Sequence, residues 1–138
     1  QLAGSSKEAL KGAYIIQEAS KDVPDMILIA SGSEVSLAVE AAAELEKDNI
    51  STRVVSMPCM DVFEAQSPEY IEEVLPSAVR TRLAVEAANP MPWYKYVGLD
   101  GDVVAMDTFG ASAPAKILFE HFGFTVANVV EKAKALVK

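Results

Sequence analysis

This chain of 138 residues has little of what a self-contained active site needs. It has one cysteine and one histidine, so an internal disulfide is excluded. A zinc site would need carboxylates at suitable spacing, and none is apparent, so we predict no metal site. Cys59 fits a reducing compartment. We do not expect a Cys59–His121 catalytic dyad, because His121 lies far along the chain at a helix end that suits a structural histidine.

Long apolar runs are also missing. The longest, residues 26–30, is far too short to span a membrane, and the first eight residues lack the apolar core of a signal peptide. The sequence therefore predicts a cytoplasmic protein. The chain begins with Gln1 rather than methionine, as is expected of a fragment or of a processed protein.

Positive charge is scarce. The 12 lysines and arginines are scattered and outnumbered by 20 acidic residues, which gives a net charge of −8. Proteins that bind nucleic acids or anionic membranes neutralise phosphates with clustered basic residues. We therefore predict neither nucleic acid nor membrane as a partner, and we interpret the acidic surface as solubilising.

Apolar residues, at 51%, are abundant enough for a sizeable core. Strand-like runs alternate with helical patterns, which predicts one α/β domain over residues 1–138, with a largely parallel sheet between helices. The predicted strands are 14–16, 26–30, 53–56, 83–87 and 103–106. The main predicted helices are 34–47, 68–75, 112–122 and 126–137, with Ser67 and Thr125 as N-caps.

The best local candidate for binding is the loop Ser31-Gly32-Ser33, between a buried strand and a helix. Such a loop can direct backbone N–H groups and the positive helix end at an anion. The alternative is that Ser31 or Ser33 simply caps the helix, and Glu34 in the first turn would repel a phosphate. No glycine-rich phosphate motif is present.

A second candidate is the aromatic segment that contains Trp93, Tyr94 and Tyr96. Aromatic side chains are enriched in interface cores, and the neighbouring prolines indicate a surface loop. We interpret the three side chains as an interface with another domain or subunit. A satellite core beneath the loop is the alternative.

A receiver-type phosphorylation pocket is excluded by the residues that follow the strands. Such a pocket needs acidic residues after the first parallel strand and a lysine after the last. Here those positions hold Ser31-Gly32-Ser33 and Asp107-Thr108.

Several motifs in order resemble one family, the C-terminal domain of transketolase. The later ones are Trp93, Tyr96-Val97-Gly98, Gly101, Phe109-Gly110-Ala111-Ser112-Ala113-Pro114 and Phe122-Gly123-Phe124-Thr125. The earlier ones are Ser31-Gly32-Ser33-Glu34 and Val54-Val55-Ser56-Met57-Pro58, which leads to Asp61 and Phe63. The resemblance spans nearly the whole chain.

The resemblance implies a three-layer α/β/α fold with a five-stranded mixed sheet, mostly parallel with one antiparallel edge strand. The natural candidate for that edge is the first strand, 14–16. It also implies a cytoplasmic, homodimeric parent enzyme of the pentose phosphate pathway. That enzyme transfers a two-carbon ketol unit from a ketose phosphate to an aldose phosphate, with thiamine diphosphate and a divalent metal such as Mg²⁺.

The family keeps its cofactor and substrate sites in the N-terminal and middle domains, which this chain lacks. Gly101-Asp102-Val103 is only a partial match to the family's diphosphate motif, and we interpret it as coincidental. We therefore expect no catalytic, cofactor-binding or metal-binding residue in this chain. We expect an inactive domain that helps to assemble the dimer, or alternatively a regulatory module that binds an anion at Ser31-Gly32-Ser33.

Overall fold

The computed structural model describes residues 10–32, 34–86, 91–105 and 125–137. Its strands are β1 (Tyr14–Gln17), β2 (Met26–Ala30), β3 (Thr52–Ser56), β4 (Arg82–Glu86) and β5 (Asp102–Ala105). Its α-helices are α1 (Glu34–Lys47), α2 (Met60–Glu64), α3 (Pro68–Val74), α4 (Tyr94–Val97) and α5 (Val126–Val137), with a 3₁₀ turn at Met91–Trp93. Each predicted strand is confirmed to within one residue, whereas the predicted helix 112–122 lies outside the described residues.

The strands form one sheet in the order β1-β3-β2-β4-β5. Strand β1 pairs with β3 in the antiparallel sense, with an irregularity between Ile15 and Gln17, and the remaining pairs are parallel. The prediction of a mixed sheet with an antiparallel first strand at its edge is therefore confirmed. The central strand β2 is buried along its whole length, which explains its unbroken apolar sequence.

Helices cover both faces of the sheet. On one face α1 and α5 pack over the first apolar cluster, whose larger members include Leu28, Leu45, Val54, Leu83, Val85 and Val129. On the other face the shorter helices pack over the second cluster, which includes Ile27, Ile29, Val55, Phe63, Val74, Trp93 and Val97. Alternate residues of the central strands point into opposite clusters, because successive side chains of a strand point to opposite faces.

The helix starts follow from local sequence. The Ser67 hydroxyl accepts the N–H of Tyr70 at 3.2 Å, and the Thr125 hydroxyl accepts the N–H of Asn128 at 3.1 Å. Both predicted N-caps are confirmed. Lys134 forms an ion pair with Asp48 at 2.5 Å, which links α5 to the end of α1. None of the helices in these ranges has the length and apolar character to cross a membrane.

The chain order creates a crevice between β2 and β4. The connection that leaves β2 runs over one face through α1, whereas the turn at Met91–Trp93 and α4, which follow β4, pack on the other face. Connections that diverge to opposite faces leave a gap at the carboxyl ends of the two strands, and ligands of open α/β sheets bind there.

At the opposite edge of the sheet, two carboxylates accept hydrogen bonds from backbone N–H groups at the amino end of β3. Ser51 N–H donates to Asp25 at 2.8 Å, and Thr52 N–H donates to Glu46 at 2.9 Å. The bond from Ser51 holds the pKa of Asp25 below its usual value. Burial raises the pKa of Glu46, but hydrogen bonds from Thr52 and Ser20 outweigh burial, so this pKa is lowered as well.

We expect these two carboxylates to make the fold sensitive to acid. Because their folded pKa values are lowered, the stability they contribute is complete above the unfolded values of about 4 and is lost as the pH falls through the folded values. The urea midpoint should therefore drop between about pH 5 and pH 3. The Asp25→Asn/Glu46→Gln double variant, which keeps acceptor oxygens, should lose less over that range.

The matched control is Glu40→Gln/Glu131→Gln, which removes two exposed carboxylates from α1 and α5. This control should retain the acid sensitivity of the unmodified chain. Equal drops in the urea midpoint for the two double variants would contradict the assignment.

Candidate functional site at the carboxyl edge of the sheet

A cavity of about 290 Å³ lies at the carboxyl ends of β2, β3 and β4. Its described lining residues are Ser31, Met57, Pro58, Met60, Glu86, Pro92 and Trp93. Ser31 follows β2 and Glu86 ends β4. The two polar residues lie close together because these parallel neighbouring strands end at the same edge of the sheet. The cavity is thus the crevice that the sheet topology creates.

The loop after β2 turns tightly into α1. Gly32 adopts a left-handed conformation (φ +58°), and the N–H groups of Glu34 and Val35 donate to the carbonyls of Ser31 and Gly32 at 3.2 and 3.3 Å. Two N–H groups of the first helical turn are therefore used within the turn itself. They are not directed at an external anion in this conformation.

Two glutamates of the described residues lie beside this loop. The Ser31 hydroxyl donates to the Glu86 carboxylate at 3.2 Å, and Glu34 at the start of α1 is only 5% exposed. Ser31 thus lies at the cavity edge with carboxyl groups nearby, and anion binding by Ser31 and Gly32 stays a prediction. Ser33 lies outside the described residues. Glu86 is a cavity residue that the sequence interpretation missed, because only the β2–β4 pairing brings it beside Ser31.

The aromatic segment lies mainly inside the fold. Trp93 is 3% exposed and Tyr96 is 8% exposed, and both belong to the second apolar cluster, where the Tyr96 ring also contacts Phe63. The surroundings of these two side chains are those of a core beneath the loop, which was the alternative interpretation. The turn at residues 91–93 packs them against the sheet. Tyr94 is 48% exposed, so of the three it alone presents an exposed ring, and its contact with another domain stays a prediction.

The Tyr96 hydroxyl reaches the surface and donates to Glu64. Burial, together with this carboxylate, raises the pKa of Tyr96 well above its ordinary value. Lys95 pairs with the same carboxylate at 2.6 Å, and Lys95 and Tyr96 together hold the pKa of Glu64 below its usual range. The three groups thus link α4 to α2.

Other residues considered for chemistry are dispersed. Cys59 is exposed and begins α2 without a side-chain capping bond, and His121 lies outside the described residues. Asp102 starts β5, and its carboxylate accepts the N–H of Val103 at 2.8 Å. Within the described ranges, no group of three or more His, Cys, Asp or Glu side chains is arranged to hold a metal ion.

The sheet order and its crevice define the class of protein: an open, mixed α/β domain with helices on both faces and a cavity at its topological switch point. A family model described as the transketolase-like TK C-terminal domain matches residues 12–125. The chain therefore belongs to the family of transketolase C-terminal domains.

Named relatives agree with this membership. The transketolase of Bacillus subtilis (strain 168) is 54% identical over 137 residues, which cover 96% of this chain and 20% of that protein. The transketolase of Halalkalibacterium halodurans is 59% identical over 128 residues, which cover 93% of this chain and 19% of that protein. The chain thus spans about a fifth of the length of these relatives.

Solved structures share the fold closely. The transketolase from Leishmania mexicana superposes with a TM-score of 0.88 at 42% identity, over 99% of this chain and 19% of that one. The transketolase from Pichia stipitis, solved in complex with sedoheptulose 7-phosphate, superposes with a TM-score of 0.87 at 41% identity, over 99% of this chain and 20% of that one.

Proposed function

We propose that this chain is the C-terminal domain of a transketolase whose other domains carry the catalytic site. The observation that carries the proposal is the family match over residues 12–125, together with identities above half to two transketolases that are about five times longer. The parent enzyme would transfer a two-carbon ketol unit from a ketose phosphate to an aldose phosphate. The Pichia stipitis relative solved with sedoheptulose 7-phosphate supports sugar phosphates as the substrate class.

In this proposal, thiamine diphosphate and a divalent metal supply the carbanion chemistry, and the N-terminal and middle domains hold them. The present chain contributes a rigid α/β layer that helps to complete a homodimer in the cytoplasm. Tyr94, exposed on α4, is the residue of this chain that we assign to a contact with those partners. By itself the chain neither binds the cofactor nor turns over sugar phosphates.

The test is a chimera of the Bacillus subtilis transketolase in which this chain replaces the segment it matches. We expect the chimera to be dimeric by light scattering and to transfer ketol units at a rate within about tenfold of the parent, since more than half of the residues are shared. The same enzyme truncated before that segment should lose the dimer, the activity, or both. A truncated enzyme that remains dimeric and fully active would contradict the assembly role.

The isolated chain provides the complementary measurement. We expect no ketol transfer, and no heat of binding when thiamine diphosphate and Mg²⁺ are titrated together into the chain. Ketol transfer by the isolated chain without added protein would overturn the proposal that its catalytic groups lie elsewhere.

The alternative function, a regulatory module that binds an anion at Ser31-Gly32-Ser33, is less well supported. Glu86 and Glu34 place negative charge beside the loop, and the N–H groups of Glu34 and Val35 already donate within the turn. A phosphate at this edge would therefore not gain those two donors.

A further inference from the structure

Another cavity, of about 200 Å³, lies near the amino end of β4, between the residues that precede this strand and the turn that follows α4. Three of its described lining residues are basic and one is acidic: Arg80, Arg82, Lys95 and Asp100. In the chain as a whole, 20 acidic residues outnumber 12 basic ones, so the composition of this cavity is the reverse of the average. Its lining therefore favours an anion over a cation as ligand.

The basic side chains keep N–H donors beyond those that they use within the described ranges. Arg82 donates four N–H groups to backbone carbonyls, and a guanidinium group has five. Arg80 contacts Asp100 through Nε, which leaves the N–H groups of its two terminal nitrogens. Lys95 pairs with Glu64, and an ammonium group has three donors. Several donors thus remain for a ligand.

Two further carboxylates near the cavity already accept hydrogen bonds. Glu72 accepts the Ser77 N–H at 2.9 Å and the Ser77 hydroxyl at 3.1 Å. Glu64 accepts the Tyr96 hydroxyl in addition to its pair with Lys95. These carboxylates compensate part of the positive charge. Binding should therefore be weak and depend on charge-assisted hydrogen bonds more than on net charge.

The outer cations are accessible and the inner one is fixed. The side chains of Arg80 and Lys95 are 68% and 54% exposed, and exposed ion pairs contribute little to stability, so both groups can turn towards a ligand. The Arg82 guanidinium is held by its four carbonyls and does not need to be ordered on binding. Two adjustable donor groups beside one fixed group can bind the oxygens of a tetrahedral anion.

We propose that this cavity binds a phosphate dianion, either free or as a small phosphate monoester. The phosphate oxygens accept N–H groups from Arg80 and Lys95 and the remaining N–H of Arg82. Leu99, which is 97% exposed and lines the cavity, offers an apolar contact to the carbon atoms of a monoester. The volume lies below the usual range for drug-sized ligands, which favours a small anion. This binding activity goes beyond the proposed transketolase function and does not depend on it.

The test is a titration of the 138-residue chain followed by two-dimensional NMR of its N–H groups, at an ionic strength held constant with sodium chloride. The probes are inorganic phosphate, glycerol 3-phosphate and acetate. We expect inorganic phosphate to shift the signals of Gly98, Leu99, Gly101 and the Arg80 guanidinium saturably, with a dissociation constant on the order of 1 mM. Acetate, with a single charge, should bind at least about fivefold more weakly.

The two phosphate probes distinguish the sources of the ligand. Tighter binding of glycerol 3-phosphate than of inorganic phosphate would identify a monoester as the ligand, because its carbon atoms then contribute. Tighter binding of inorganic phosphate would identify the free anion. Both outcomes support the site.

The double variant Arg80→Gln/Lys95→Gln removes the two exposed cations of the cavity. It should weaken phosphate at least about tenfold. The matched control Lys21→Gln/Lys47→Gln also removes two exposed, ion-paired cations, but from elsewhere on the chain, and should leave the affinity within about twofold. Thermal unfolding shows whether each variant retains the fold, and Arg80→Gln alone, expected to weaken phosphate several-fold, replaces the double variant if that variant does not fold.

Three results would overturn the proposal: no saturable shift with phosphate up to about 30 mM, shifts centred on Ser31 and Gly32 instead of residues 98–101, or equal losses of affinity in the two double variants. None of these readouts requires transketolase activity. Failure here and failure of the chimera are therefore separate outcomes.

Discussion

Replacing Gly12 with alanine is expected to destabilise the fold by about 3 kcal/mol or more. Gly12 has φ +88°, a conformation that side chains rarely adopt. A β-carbon at this position would lie 2.3 Å from the backbone nitrogen of Phe63 and 2.4 Å from the carbonyl oxygen of Cys59. Both neighbours are backbone atoms, so relief requires α2 to move away from the start of β1. Urea unfolding monitored by circular dichroism measures the loss.

The matched control is Gly32→Ala. Gly32 also has a positive φ (+58°), but a β-carbon there would meet no atom of the described residues within 4 Å. This variant isolates the backbone strain, about 1 kcal/mol, from the steric clash. Equal losses for Gly12→Ala and Gly32→Ala would show that the close approach of α2 to Gly12 is not a strong constraint.

Replacing Arg82 with methionine should cost about 3 kcal/mol, because the guanidinium joins four backbone carbonyls near the amino end of β4. Its hydrogen bonds reach the carbonyls of Val79 (3.0 Å), Tyr96 (2.7 Å), Leu75 (3.2 Å) and Pro76 (2.9 Å). Burial lowers the pKa of the guanidinium, but arginine remains charged at every accessible pH. Methionine keeps the apolar stem and removes all of the donors.

Arg80→Met is the control two residues away. Arg80 is 68% exposed and pairs with Asp100 at 2.7 Å, so its loss should change the unfolding free energy by less than about 1 kcal/mol. Arg82→Lys should recover only part of the stability, because an ammonium group cannot reproduce the planar fork. A loss for Arg82→Met as small as that for Arg80→Met would contradict the assigned role.

The sequence could predict those strands and helices whose surroundings are the same along their whole length. Residues 26–30 form an unbroken apolar run because β2 is covered on both faces, and the run located the strand without error. The predicted helix 34–47 coincides with α1, whose buried apolar residues are Leu37, Ala38, Ala41, Ala42 and Leu45, with Val35 and Val39 partly buried. The caps at Ser67 and Thr125 are local in sequence and were found for that reason.

The site could be predicted only in part, because its members come from separate strands. Ser31 and Gly32 were identified from the strand–loop–helix pattern, but the hydrogen bond from Ser31 to Glu86 depends on β2 pairing with β4. Arg82 gave no local signal, since its partners are backbone carbonyls from two connections, one on each side of β4. The aromatic segment indicated a surface loop, and burial of Trp93 became visible only with the packed sheet.

The sequence by itself determined the class of fold, the limits of the strands and, through ordered motifs, the family, because periodicity and turn chemistry act over a few residues. Tertiary structure decided that Trp93 and Tyr96 are buried, and why Gly12 must lack a side chain. It also decided that Glu86 lies beside Ser31 at the carboxyl edge of the sheet. These properties arise where segments distant in sequence contact each other. The stability of such contacts depends on side-chain packing and strand pairing rather than on local conformational preference.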